Sequence, residues 1–204
     1  MPTRVILIRH GETIWNKQKR YCGCRDIDLS NVGRLQALRL REKLRNLRFD
    51  KIYCSDRKRA LTTAKIIFGK TKIIKEKKLR EMSFGVIEGL RHKEIMDSYA
   101  DIYKRWLKDP YNNYIPKAEK LNLFKKRVTG VIKKIVSHNG GKTVCLVCHG
   151  GTISIFIAGI LKSRNFWRYI PGSASISILE YWKNGPKIKM FNEIAHLKVN
   201  RWGK

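Results

Sequence analysis

The chain has 204 residues, 43% of them hydrophobic, with 45 Lys and Arg against 16 Asp and Glu, a formal net charge of +29. That length and apolar content suit one folded domain with a proper core and exclude a disordered or collagen-like chain. The charge attracts phosphates of any origin, nucleic acid, anionic lipid or metabolite, and says nothing about fold.

In chain order, the first informative stretch is Val5-Ile6-Leu7-Ile8 running into Arg9-His10-Gly11. Four apolar residues without polar alternation read as a strand covered on both faces. Such a strand delivers Arg9 and His10 to the sheet rim, where open α/β folds bind ligands. The stretch is too short for a signal peptide or a membrane span, and Arg9 interrupts it. Glu12 to Leu29 reads as loop. Ser30 then caps a helix with Leu35, Leu38, Leu44 and Leu47 as its apolar residues, and Arg34, Arg39, Arg41 and Arg45 around the rest.

Lys51 to Cys54 reads as a second strand. Ser55 suits the N-cap of a helix through Ile67, ended by Gly69, with Arg59 in its first turn. Ile73 and Ile74 form a brief third strand, and Leu79 to Gly85 a loop. Helical patterns fill Arg91 to Lys108 until Asp109-Pro110 stops them. After a polar connection, Tyr111 to Lys120, comes an amphipathic helix from Leu121 to Val136. Gly140-Gly141 turns the chain into a second buried strand, Thr143 to Cys148, which leads into His149-Gly150-Gly151 and an apolar helix from Thr152 to Leu161. Ser175 to Trp182 and Lys187 to Phe191 alternate around Asn184-Gly185, the signature of a closing antiparallel hairpin. A basic tail from Lys198 frays. No linker breaks the chain, so residues 1–204 read as one domain, with a helical lid or insertion over about residues 86–138.

The five cysteines are Cys22, Cys24, Cys54, Cys145 and Cys148. Their odd number, with three on buried strands, argues for a reducing, cytoplasmic compartment and against a disulfide framework. Cys145 and Cys148 show a C-x-x-C spacing, but residues three apart on a strand face opposite sides and read as core. Cys22 and Cys24 lack a second pair, so neither a metal site nor another cofactor is expected, and Cys22 reads as a loop filler.

Two buried strands that each end in a histidine and a glycine, with arginines beside them, suggest a site for an anion. Phosphoryl transfer needs a nucleophile in line with the leaving oxygen and positive donors around the equatorial oxygens. An imidazole of His10 or His149 supplies the first; Arg9 and Arg59 supply charge that persists at every relevant pH. The helix after His149 adds its N-terminal N–H groups. A carboxyl group of raised pKa would protonate the leaving alkoxide. Glu81 is the best placed candidate, with Glu12 and Glu88 as rivals.

Arg9-His10-Gly11-Glu12-Thr13, followed by Trp15-Asn16, resembles the signature of the histidine phosphatase superfamily, in its phosphoglycerate-mutase-like branch. Asp28-Leu29-Ser30 with Gly33, Ser55 to Ala60 with Thr63-Ala64, Leu79-Arg80-Glu81, Phe84-Gly85 with Glu88-Gly89-Leu90, and His149-Gly150-Gly151 stand where that family places its motifs. The resemblance implies a three-layer α/β/α fold around a mostly parallel sheet and metal-independent phosphoryl transfer. It makes His10 the phosphorylated nucleophile, and Arg9, Arg59 and His149 the phosphoryl-binding groups. Glu81 becomes the proton donor, and Asn16, Cys22, Gly23 and Gly150 substrate contacts. Trp106, Asp109-Pro110, Pro116, Ser175-Ile176-Ser177 and Asn192 to Leu197 place the chain nearest the α-ribazole phosphatase group. α-Ribazole 5'-phosphate is therefore the candidate substrate. One departure falls at Pro116-Lys117-Ala118-Glu119-Lys120, where the group often has Gly-Glu-Ser, and it bears on substrate more than on catalysis.

Blander readings stand beside these. Arg59 could pair with Asp56, and His138 and His196 sit at element ends. His92 could line the mouth of the site, while the aromatics from Tyr99 to Tyr114 read as lid packing. The rival functions are a cofactor-dependent phosphoglycerate mutase and a basic nucleic-acid-binding protein on an inactive phosphatase scaffold. The expected partner is a small phosphorylated substrate, with no specific nucleic acid and no membrane, and a homodimer is the assembly considered.

Overall fold

The computed structural model describes residues 1–198; the tail expected beyond Lys198 lies outside the described residues. Six strands form one sheet: β1 (Thr3–Arg9), β2 (Lys51–Cys54), β3 (Ile73–Lys75), β4 (Thr143–Cys148), β5 (Ile176–Trp182) and β6 (Gly185–Glu193). Their spatial order is β3-β2-β4-β1-β5-β6. β3, β2, β4 and β1 run parallel, while β5 is antiparallel to both β1 and β6. The helices are α1 (Ile14–Lys17), α2 (Asn31–Leu44), α3 (Lys58–Phe68), α4 (His92–Lys108), α5 (Leu121–Ser137) and α6 (Gly150–Ile160).

The apolar runs that announced β1 and β4 are buried on both faces, because each side of the sheet has its own core. Val5, Leu7, Val144, Leu146 and Cys148 face a cluster supplied by α4, α5 and α6. Ile6, Ile8, Cys145 and Val147 face a second cluster supplied by α2 and α3. Cys145 and Cys148 thus point to opposite sides as core residues, and all five cysteines are free thiols. Three layers, a mostly parallel sheet and a terminal antiparallel hairpin are the expected architecture. Among the described residues no helix is long and apolar enough to cross a membrane.

Three local expectations change. The stretch after His10 is not all loop: Thr13 caps the single-turn α1 in a reciprocal capping box with Asn16. In α2, which Ser30 does cap, the buried face is Gly33, Ala37, Leu40 and Leu44, while Leu35 and Leu38 are exposed and Leu47 lies past the helix end. The reason is close packing at the helix start. A Cβ on Gly33 would collide with the backbone of Glu12, so the first turns of the helix lie too near the chain after His10 for large side chains, and Leu40 and Leu44 pack inward farther along. Third, Ser55 does not cap α3. Its N–H continues the ladder by donating to the Val147 carbonyl at 3.0 Å, and the helix opens at Lys58, whose N–H donates to Asp26 Oδ1 at 2.7 Å.

Candidate active site

The site forms where β1, β2 and β4 end side by side. Arg9 on β1 pairs with Cys148 on β4, and the His10 N–H donates to the Cys148 carbonyl at 3.0 Å. The two histidines, 139 positions apart in sequence, therefore leave neighbouring strands in register. Their ring centroids lie 5.2 Å apart, inclined at 64°.

Hydrogen bonds assign the protons. His10 Nδ1 lies 2.7 Å from the Gly11 carbonyl, which can only accept, so the proton sits on Nδ1 and Nε2 keeps its lone pair. His149 Nδ1 receives a hydrogen bond from Arg59 Nε at 3.2 Å, which leaves the proton on Nε2, 2.8 Å from Ser55 Oγ. Both rings are neutral in this arrangement. Burial, then the charges of Arg59 and Arg9, hold His10 well below its ordinary pKa, and the Gly11 carbonyl opposes them. For His149 the causes are burial, then Arg59, with smaller contributions from His10, Arg9 and Arg57.

Arg59 is fully enclosed. Its Nη2 donates to the Gly23 carbonyl at 2.8 Å and its Nη1 to the Arg25 carbonyl at 2.9 Å. Arg9 donates through Nη1 to the Pro171 carbonyl, while its enclosed Nε meets no acceptor. Asp56, the possible partner of Arg59, instead binds Arg80. Among the described residues neither Arg9 nor Arg59 forms an ion pair. Burying a charge without a counter-charge is costly unless a bound anion supplies one.

Glu81, 8% exposed, completes the group. Its Oε2 accepts from the Gly151 N–H in the first turn of α6 at 2.7 Å, and its Oε1 from the Met82 N–H at 2.9 Å. Burial raises its pKa against the pull of both amides and both arginines. A Cβ on Gly151 would sit 2.5 Å from Glu81 Oε1, so a larger residue here would displace the carboxyl group. The loop carrying Glu81 is held from behind by Arg127, which donates to the Lys78 and Arg80 carbonyls and forms a two-pronged pair with Glu119. Glu119 belongs to the segment where the sequence departs from the α-ribazole group, so that segment contributes to positioning the acid.

A cavity of about 300 Å³ opens above this cluster. Arg9, His10, Glu81, Gly150 and Gly151 form its polar floor, with Asn16 and Cys22 on the wall. His149 and Arg59 have no exposed surface and sit behind that floor, and Gly23 meets Arg59 rather than the cavity. Glu12 and Glu88, the rival acids, are committed elsewhere: Glu12 accepts from Ser30, and Glu88 from the backbone of Cys24, Arg25 and Phe84. His92 lies beside Tyr103, away from the cavity lining. Ser55 escaped the sequence reading because a serine before a helix looks like a cap; its place directly after a buried strand was the usable signal.

Fold and site together define an α/β protein with an anion-directed histidine centre at the carboxyl edge of a parallel sheet. The chain belongs to the histidine phosphatase superfamily (branch 1), whose sequence model matches residues 5–194. It is 30% identical over 198 residues to phosphoserine phosphatase 1 of Hydrogenobacter thermophilus, covering 95% of this chain and 94% of that one. It is also 30% identical over 198 residues to the adenosylcobalamin/alpha-ribazole phosphatase of Escherichia coli K12, covering 94% and 97%. A phosphoserine phosphatase variant from Entamoeba histolytica, crystallised with phosphoserine, superposes with a TM-score of 0.88 at 29% identity, over 96% of this chain and all of the other.

Proposed function

We propose that this protein hydrolyses the phosphomonoester of a small metabolite through a phosphohistidine on His10. The observation that supports this most is the pairing of an imidazole Nε2 kept unprotonated with two guanidiniums, the enclosed Arg59 and the half-buried Arg9, that have no carboxylate partner among the described residues. In the first step His10 Nε2 attacks phosphorus and the bond to the alcohol oxygen breaks. Glu81, whose pKa burial raises, gives its proton to that oxygen. In the second step a water attacks phosphorus, Glu81 takes the water's proton, the Nε2–phosphorus bond breaks with its electron pair returning to His10, and inorganic phosphate leaves.

Arg9 and the first N–H groups of α6 line the floor where the phosphoryl oxygens would rest. Arg59 and His149 act from directly behind, and Arg59 keeps guanidinium N–H groups beyond the three already bonded. α-Ribazole 5'-phosphate and phosphoserine enter as candidate substrates from the names of the relatives. The decisive experiment is hydrolysis of p-nitrophenyl phosphate combined with radiolabelled phosphate transfer. The parent chain should acquire an acid-labile label, His10→Ala none, and Glu81→Gln should turn over slowly while still labelled. A label persisting in His10→Ala would remove that histidine from the nucleophile's role.

A further inference from the structure

Beside the polar groups around His10, much of the cavity lining is apolar. Met82, Phe84, Phe124, Phe166, Trp167 and Ile170 all line it, with Met82, Phe124 and Phe166 fully buried and Ile170 at the rim. These come from three separate parts of the chain: the loop after Glu81, α5, and the turn after α6. They are also braced. Phe166 stacks against Trp167 at 4.1 Å, Trp167 meets the buried Trp106 edge-on at 4.8 Å, and Trp106 meets Phe84, which packs on Tyr21 at 5.0 Å. Edge-to-face contacts of this kind fix ring orientation, so the wall is formed before any ligand arrives.

Several polar groups of the lining are already bonded. The Tyr21 hydroxyl is bonded to that of Tyr103 at 2.8 Å, Arg20 is paired with Glu94, and Asn16 Oδ1 accepts from Thr13. Glu81 is the only carboxylate among the lining residues, and it sits on the floor. The nearest other acid in the loop, Glu88, is saturated by backbone amides. An ammonium group on the substrate would therefore find no carboxylate besides Glu81, in a cavity already carrying Arg9, Lys19 and Arg20.

Building on the phosphatase reading, we infer that the preferred substrates are phosphomonoesters of alcohols that carry no ammonium group and have an apolar, ring-sized body. The Phe84–Trp167–Ile170 wall would select them. A zwitterionic amino-acid ester loses on two counts: its ammonium is repelled by the cations of the lining, and its charged groups lose water against the rings without a compensating bond.

The test compares kcat/KM for benzyl phosphate, phosphoserine and 3-phosphoglycerate, three esters of primary alkyl alcohols. Benzyl phosphate should lead by tenfold or more. Ile170→Ser, at a rim position 41% exposed where folding is not at risk, and Trp167→Leu should each lower the benzyl-to-phosphoserine ratio, the latter about tenfold. Phosphoserine or 3-phosphoglycerate as the best substrate, or ratios unmoved in both variants, would overturn this inference and leave the phosphatase reading standing. No turnover of any ester, with no label on His10, would refute both.

Discussion

Two uncharged imidazoles buried at the heart of the site make stability depend on pH in a way that can be calculated. His10 and His149 titrate well below the ordinary 6.5 when folded but near it when unfolded. Below pH 6.5 the unfolded chain binds two protons that the folded one refuses, so their contribution is complete above 6.5 and is lost as pH falls. The limiting slope is about 1.4 kcal/mol per pH unit for each ring, and from pH 7 to 5.5 the pair removes about 2.5 kcal/mol. Glu81 has the opposite sign. Its folded pKa is raised above 4.5, so falling pH stabilises the fold between that raised value and 4.5. It offsets at most the slope of one ring. The net loss is a sizeable part of the 5–15 kcal/mol typical of a folded domain.

Urea unfolding at pH 7 and 5.5 in phosphate-free buffer measures this directly. The chain's excess positive charge also disfavours the compact state as carboxylates protonate. The comparison therefore rests on His10→Asn and His149→Asn, which share that background. Each single variant should show about half the imidazole-dependent loss, and the double variant almost none. A loss of equal size in the parent and the double variant would refute the assignment of two neutral buried rings.

Ser55→Ala leaves the enclosed N–H of His149 without an acceptor, so unfolding free energy should drop by about 1–3 kcal/mol and turnover with it. Equal stability by urea titration would mean that Nε2 does not carry the proton. Gly151→Ala should displace Glu81 and cut kcat at least a hundredfold, roughly the scale of a misplaced general acid, with the fold intact by circular dichroism; parental kcat would show that the acid tolerates the methyl group. The profile of kcat/KM against pH should hold its acid side below the usual imidazole range, because His10 must be neutral and its pKa is depressed. Its alkaline side should fall as Glu81 loses the proton it donates, above the usual carboxylate range. An acid limb at an unperturbed imidazole value would place a different group in the nucleophile's role.

The sequence was legible where one residue's chemistry and its immediate neighbours sufficed. β1 and β4 announced themselves because strands buried on both faces need unbroken apolar runs, and Arg9, His10 and His149 could be picked out at strand ends, with Arg59 in the first turn of the helix after β2. Reading failed where small residues did the packing. Gly33 and Ala37 carry the first turns of the inner face of α2, and a search for leucines found the buried Leu44 but also took Leu35 and Leu38, which face solvent. Ser55 was given a local role because a serine ahead of a helix has an obvious one.

Which residues can attack, carry charge or hand over a proton follows from their covalent chemistry, and the chain order alone places them at the ends of strands. Their protonation does not follow from that order. Whether His149 is neutral, whether Glu81 keeps its proton and whether Arg59 lacks a carboxylate depend on burial and on neighbours dozens of positions away. Only the β3-β2-β4-β1 arrangement, which sets three strand ends side by side, creates that water-poor space, and with it the long-range electrostatics that turn separate motifs into one site.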